Sequence, residues 1–180
     1  MICPEPSFPG RLFLCPLNRL AGIDKGDMMD LVQLGWCEHF EQEYRTFDDG
    51  SSRATRVVRR DRSAYQILGE HGPLRAELAG RLVHESATGA ELPTIGDWVV
   101  AREFLEEKKA TIHAVLPRQG SFARTAVGTG GRDDQSGALR QHVIAANVDT
   151  AFLVSGLDGG RNFNLARIER YLTLAWDSGA

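Results

Sequence analysis

Lysine is scarce in this sequence, and the positions of its three lysines exclude one common kind of phosphate site. A phosphate loop of the GxxxxGK[ST] type needs a lysine directly after a glycine, because backbone amides cradle the phosphates while that lysine reaches the β and γ oxygens. Lys25, Lys108 and Lys109 are the only lysines, and none of them follows a glycine. The sequence therefore predicts that this chain carries no such loop.

Cysteines are also few, and long apolar runs are absent. Cys3, Cys15 and Cys37 form no CxxC pair, and any pairing leaves one of them over, which is typical of a reduced protein. The apolar run Leu12–Cys15 is interrupted by Pro16, and no stretch approaches the roughly 20 apolar residues that a membrane span needs. No positive cluster precedes that run, as a secretory signal would require. We therefore expect a cytoplasmic protein that does not associate with membranes.

Charge is distributed unevenly along the 180 residues, whose formal net charge is -3. Residues 53–81 contain seven arginines against three acidic residues. This local excess favours a surface that contacts a polyanion. Arginines on a solvated strand edge, where they discourage pairing between sheets, would give the same pattern. Charge alone leaves both interpretations open, because the protein as a whole is not basic.

The beginning of the chain lacks a periodic pattern. Prolines and glycines interrupt it repeatedly, and Met28 and Met29 stand just before the first patterned segment. We interpret residues 1–29 as a leader that is disordered or lies upstream of the true translation start. Residues 30–44 have apolar side chains at helical spacing and predict a short helix, although Gly35 weakens the pattern.

Short strand-like segments separated by turns follow from residue 53 onward. They predict five strands, over residues 53–60, 64–69, 74–84, 97–102 and 110–116. Gly80 marks a bend or bulge in the third of them. Five short strands with such a bend favour a closed barrel of the OB type, although an SH3-like barrel has a similar strand count. We therefore predict a mainly β fold with an OB-type barrel in a domain over residues 30–117.

Periodicity is lost after the predicted barrel. Residues 118–146 are rich in glycine, aspartate and serine and predict a flexible linker. Within them, Gly128-Thr129-Gly130-Gly131 looks like a phosphate cradle, but no helix bearing a lysine follows it. A linker is the favoured interpretation.

The last segment, residues 147–180, has the pattern of an α/β domain. Thr150–Val154 is a continuous apolar run and predicts a strand that is covered on both faces. A helix is predicted from Leu165 to Trp176, with Asn162 or Asn164 as its cap and Ser178-Gly179 as its stop. This is the first βα unit of a domain that we expect to be incomplete.

Four groups of residues occur in an order that resembles one protein family. They are Leu34-Gly35-Trp36; Pro93-Thr94-Ile95-Gly96-Asp97-Trp98-Val99; Ala114-Val115-Leu116-Pro117-Arg118 leading to Arg124; and Ala145-Ala146-Asn147-Val148-Asp149-Thr150 followed by Phe163-Asn164 and Arg167-Ile168-Glu169-Arg170-Tyr171-Leu172. No single group is specific, but the ordered set is. From about Leu31 to Ala180, the chain is similar to the ribosome small-subunit-dependent GTPase A family.

This resemblance implies a definite plan and activity. The family places an OB barrel before a GTPase domain with circularly permuted motifs, and a zinc module bound by cysteine and histidine comes last. Its members hydrolyse GTP with Mg²⁺ while bound to the small ribosomal subunit, late in the maturation of that subunit, and the barrel contacts ribosomal RNA. The resemblance therefore implies the small ribosomal subunit and its RNA as partners of this chain, and we expect it to be a monomer.

The sequence departs from the family plan at the nucleotide site. No NKxD motif for guanine, no phosphate loop and no zinc ligands are present. We therefore expect this chain to hold no GTP, magnesium or zinc itself and to be inactive alone, as the N-terminal portion of such an enzyme. Two other functions stay open, which are a stand-alone OB protein that binds single-stranded RNA and an inert fragment of a broken gene.

The candidate RNA-binding residues are arginines at two places in the chain. They are Arg56, Arg59, Arg60, Arg62, Arg118 and Arg124. The first four cluster on the first predicted strand and its turn, a part of OB barrels commonly used for nucleic acid, and the last two flank the predicted linker.

Other residues with chemical potential are given structural roles. Tyr65 and Trp98 suit either base stacking or the barrel core. His84, His113 and His142 lack the spacing of metal ligands, so no metal site is predicted. Asp97 follows a glycine at the entry to a strand, where turn chemistry is more common than catalysis. No catalytic residue is predicted.

Overall fold

The computed structural model describes residues 28–47, 50–62, 64–87, 92–125, 141–156 and 163–180. The chain divides into two compact units. The first contains the residues up to Leu92 together with Trp98–Pro117, and the second contains Pro93–Asp97 together with the residues from Arg118 onward. Apart from Met28 and Met29, the predicted leader lies outside the described residues.

The first unit is built on a closed barrel of five strands. They are β1 (Arg53–Arg60), β2 (Tyr65–Gly69), β3 (Gly72–Leu78), β4 (Trp98–Phe104) and β5 (Lys109–Val115), in the spatial order β1-β2-β3-β5-β4. The pair β3–β5 is parallel and the others are antiparallel. A parallel pair needs a long crossover, which is supplied here by the chain between β3 and β5. The predicted fold class, mainly β with a five-stranded OB-type barrel, is confirmed.

Two apolar clusters stabilise the first unit, one on each face of the sheet. Alternate residues such as Val57, Ile67, Val99 and Ile112 point inward and fill the barrel, where each is almost completely buried. The outward residues Leu68, Trp98 and Val100 are covered by the segment that precedes β1. Because both faces are apolar there, this part of the barrel is a core and not an exposed surface.

The segment that covers the outer cluster contains two short helices. A 3-10 helix spans Leu31–Leu34, and α1 spans Glu38–Tyr44. The predicted single helix over residues 30–44 is thus divided, because Gly35 adopts φ 87° and ends the first helix in the left-handed conformation.

The third predicted strand was wrong in its second half. β3 ends at Leu78, and Gly80–Ala87 forms helix α2 instead of continuing the strand. Along this helix Leu82 is buried whereas Val83 and His84 are exposed, and Arg81 pairs with Glu85 one turn later. Leu82 and Ser86, one turn apart, are less exposed than the three residues between them, which is the helical period, so Gly80 marks a helix start and not a bulge.

The described residues of the second unit form a two-stranded sheet and one helix. Ser121–Thr125 (β6) pairs with Gln141–Ala146 (β7), so the predicted flexible linker was wrong for these residues. The rest of that linker, residues 126–140, lies outside the described residues. Helix α3 spans Leu165–Ser178.

The structure tests the predicted βα unit at both of its elements. Thr150–Val154 is not a strand, since no described strand pairs with it, and Phe152 and Val154 are 81% and 92% exposed. The helix is confirmed. Asn164 accepts a hydrogen bond from the Arg167 amide at 3.0 Å as its cap, and Gly179 ends it at φ 81°. No helix among the described residues is long and apolar enough to cross a membrane.

Candidate nucleic-acid interface

Three of the predicted arginines lie together and exposed at the hairpin that joins β1 and β2. The Arg59 side chain is 68% exposed and donates to Asp61 Oδ1 at 3.0 Å, while Arg60 and Arg62 are also exposed. Guanidinium groups on a barrel loop are suited to phosphate, because their planar donors match its oxygens. The hairpin is therefore the part of the predicted site that the structure assembles.

A β-bulge sets the direction of Arg59. Val57 pairs with Ile67 inside the barrel, and the next pair is Arg59 with Gln66, so that Val58 has no partner of its own in this ladder. In a regular strand Val57 and Arg59 would face the same way. The extra residue turns Arg59 to the outer face instead.

Arg56 is occupied within the first unit. It is only partly exposed, its Nη1 donates to the Leu34 carbonyl, and its guanidinium carbon lies 5.9 Å from the centre of the Trp98 ring. These contacts attach the 3-10 helix to the barrel. Although Arg56 is on the same strand as Arg59, the structure gives it a packing role.

Arg118 is occupied within the second unit. Its side chain is 13% exposed, and its Nε and Nη2 donate to the two oxygens of the fully buried Asp97 carboxylate at 2.7 and 2.8 Å. Asp97 Oδ2 also accepts from the Thr94 amide at 2.7 Å, which confirms the turn role predicted for Asp97. Burial lowers the pKa of the Arg118 guanidinium. A guanidinium held this way has little capacity left for a phosphate.

Three further residues were considered for RNA contact, which are Arg124, Tyr65 and Trp98. The backbone of Arg124 lies in β6 opposite His142, and the position of its side chain is not described. Tyr65 and Trp98 are 6% and 0% exposed, so both belong to the apolar clusters and neither offers a ring to a base. Of the six predicted arginines, the structure brings together only the three of the hairpin.

A row of outward side chains crosses the barrel beside the hairpin, and sequence reasoning did not find it. Arg59 pairs with Gln66, Gln66 with Arg75, Arg75 with Lys109, and Lys109 with Phe104. Directly paired residues project from the same face of a sheet, and none of these five is buried. We call them the outer row. Each member of the outer row lies on a different strand from the next member. Only the register of the strand pairing therefore reveals the row.

The structure also contains one buried acid next to a histidine. Glu103 pairs with Ala110 on the inner side of the barrel, its side chain is 6% exposed, and its Oε2 lies 2.6 Å from His71 Nδ1. This is a single pair. Among the described residues no group of three or more histidine, cysteine, aspartate or glutamate side chains is arranged to hold a metal ion.

Comparison of the sequence with known proteins finds relatives that are named small ribosomal subunit biogenesis GTPases. No family model matches the chain. It is 42% identical over 160 residues to the small ribosomal subunit biogenesis GTPase RsgA of Opitutus terrae, an alignment that covers 84% of this chain and 41% of that protein. It is 42% identical over 156 residues to RsgA of Syntrophotalea carbinolica, covering 84% and 40%.

A more distant relative and one solved structure extend the comparison. RsgA of Streptomyces avermitilis is 30% identical over 164 residues, which cover 91% of this chain and 40% of that protein. The solved structure of YloQ, described as a circularly permuted GTPase, aligns with a TM-score of 0.47 and 18% identity over 71% of this chain and 38% of that one. The chain thus spans about two fifths of the length of these RsgA relatives, in their N-terminal part.

Proposed function

Because the chain belongs to the family of small ribosomal subunit biogenesis GTPases, we propose that it supplies the part of such an enzyme that binds the small subunit. In this proposal the barrel contacts ribosomal RNA late in the maturation of that subunit. Guanine and phosphate recognition are assigned to a region that this chain does not contain. The expected cytoplasmic location and monomeric state stay predictions.

The exposed hairpin arginines carry this proposal. Arg59 and Arg60 at the end of β1, and Arg62 in the turn that follows, are exposed on the hairpin that joins the first two strands of a closed five-stranded barrel. Barrels of this kind bind oligonucleotides through their loops and the adjoining strands. Positive charge concentrated on one hairpin supports a polyanionic partner even though the whole chain is mildly acidic.

The two lysines among the described residues do not have the surroundings of a phosphate-binding lysine. Lys108 lies between a second 3-10 helix, Leu105–Glu107, and β5 in a left-handed conformation with φ 51°, and Lys109 is the first residue of β5. Neither is at a glycine turn that opens a helix, which is where a phosphate-binding lysine is needed. We therefore assign no step of GTP hydrolysis to this chain.

Binding to ribosomal subunits tests the proposal. The chain is sedimented with immature small subunits and, separately, with large subunits at several salt concentrations. We expect it to pellet with small subunits, and the variant Arg60→Glu/Arg62→Glu to bind them at least about tenfold more weakly, since phosphate contacts dominate such affinities. A matched control is Arg45→Glu/Arg81→Glu, which reverses two exposed arginines outside the hairpin, whose side chains are 72% and 88% exposed.

Two results would contradict the proposal. Equal binding to large subunits and to unstructured RNA would favour a stand-alone RNA-binding protein. An equal loss of affinity in the hairpin variant and the control would mean that the hairpin has no special role and that only overall charge matters.

A further inference from the structure

The outer row extends the positive surface of the hairpin across the barrel. Neighbouring strands lie about 4.8 Å apart, so Arg59 and Lys109, which are three strand spacings apart, are separated by about 14 Å along the sheet. Arg75 stands between them. Three cations at this spacing match the repeated negative charge of a nucleic-acid strand, whose phosphates follow one another every few ångströms.

The existing partners of these cations are weak competitors for a phosphate. Arg59 pairs with Asp61 and Lys109 with Glu107, each at 3.0 Å, and all four side chains are more than half exposed. Exposed ion pairs contribute little because water screens them. Within the described part of the chain, no acidic side chain forms an ion pair with Arg75, and Glu77 lies two residues further on, on the same face of β3.

The far end of the outer row carries an exposed aromatic ring. Phe104 is 43% exposed, and the Arg102 guanidinium carbon lies 5.9 Å from the centre of its ring. Exposed aromatic side chains beside arginine are the usual platforms on which unpaired bases stack. A base within a duplex is not free to stack in this way, so the ring favours a single strand.

We propose that the outer row binds a single-stranded RNA segment that runs across the strands, with its phosphates at Arg59, Arg75 and Lys109 and a base on Phe104. This inference rests on the proposed function, because it specifies how the barrel engages ribosomal RNA. It adds three contact residues, Arg75, Lys109 and Phe104, to the hairpin. It also assigns them different roles, charge for the first two and stacking for the third.

Binding of a short RNA separates these roles. The probe is a fluorescein-labelled oligouridylate of about 12 nucleotides, within the range of an OB barrel, titrated with the full chain and followed by anisotropy at several salt concentrations. Arg75→Gln removes one phosphate contact, so the slope of log affinity against log salt concentration falls by about 0.7. Phe104→Ala weakens binding by about tenfold and leaves that slope unchanged, because stacking releases no counterions.

The controls distinguish these effects from charge and folding. Arg81→Gln removes an exposed arginine from α2, away from the row, and leaves both the slope and the affinity at an intermediate salt concentration within twofold of the original chain. Phe104→Leu keeps an apolar side chain on the strand and is expected to bind as weakly as Phe104→Ala. Circular dichroism and urea unfolding establish that each variant is folded.

The result that overturns the inference differs from the one that overturns the proposed function. Unchanged affinity in Phe104→Ala, an unchanged slope in Arg75→Gln, or no binding of the probe by the original chain would each disprove the outer row as a single-strand site. Sedimentation with small subunits would stand unaffected by these results. Probe binding through the row without sedimentation would instead reject the ribosomal partner.

Discussion

Arg118 forms a bidentate ion pair with Asp97, which lies 21 residues earlier in the chain and has a fully buried carboxylate. Thr94 donates its amide to the same carboxylate. The pair joins the turn before β4 to the start of the chain that follows β5, and both residues belong to the second compact unit. An arginine that resembled an RNA ligand in the sequence is therefore part of the internal structure.

Removing the carboxylate of Asp97 is expected to destabilise the protein strongly. Asp97→Ala leaves a mostly buried guanidinium without its partner, and breaking a buried ion pair in this way costs about 3–5 kcal/mol. Urea denaturation measures the change in the free energy of unfolding. The control is Asp61→Ala, which breaks the exposed pair with Arg59 and should cost at most about 1 kcal/mol. Equal effects in the two variants would show that the burial of Asp97 has no energetic importance.

Arg56 is expected to act on stability and not on RNA binding. Arg56→Lys keeps the charge but loses the planar group that reaches the Leu34 carbonyl and lies over Trp98, so the free energy of unfolding falls by about 1–2 kcal/mol. The affinity of the folded variant for small subunits stays within about twofold, since its charge is unchanged. The exposed Arg60→Lys serves as the control and should change stability by less than about 0.5 kcal/mol. A variant of Arg56 that is fully stable but binds RNA poorly would reverse this assignment.

Gly96 is expected to tolerate no side chain. Its φ is 91°, and a Cβ at this position would overlap the carbonyl oxygen of Ala146. Gly96→Ala combines an unfavourable backbone conformation with that collision and should cost more than about 2 kcal/mol. Gly72→Ala isolates the first effect, because Gly72 has φ 85° with open space around it, and should cost about 1–2 kcal/mol. Thermal unfolding of both variants tests the difference, and a milder effect at Gly96 would be inconsistent with the close approach of Ala146.

Calorimetric titration of the chain with GTP and magnesium is expected to give no binding signal. The reason is chemical, since no lysine follows a glycine turn and no NKxD motif reads the guanine. RsgA of Opitutus terrae at full length provides the positive control for the same titration. Micromolar affinity of this chain for GTP would refute the proposed division of roles.

The strands of the barrel were predictable because their signals are local. The β-branched residues of β1 and the turn residues that precede β4 are visible within a few positions, and both strands occur within about two residues of the predicted bounds. The segment after Gly80 was misassigned because its apolar residues satisfy both periods, and only packing of Leu82 selects the helix. Local pattern cannot make that choice.

The site was predicted less well because the sequence does not show whether an arginine is exposed or is held by a contact inside the protein. Nothing near Arg118 in the sequence indicates that Asp97 will meet it, and nothing near Arg56 indicates the Leu34 carbonyl. Similarly, Arg75 and Lys109 become neighbours only through the parallel pairing of β3 with β5. Partners that are distant along the chain decide which arginines remain available, and the fold alone supplies them.

The bulge at Val58 has a consequence for how this protein can vary. The additional residue in β1 reverses the face of the sheet to which the following residues of the strand point. The guanidinium of Arg59 therefore reaches water and not the interior. If Val58 paired with Gln66 without a bulge, the cation of Arg59 would point into a space packed with aliphatic side chains, and the damage would appear as failed folding before any loss of affinity. The register of β1 against β2 is therefore constrained as tightly as the composition of β1.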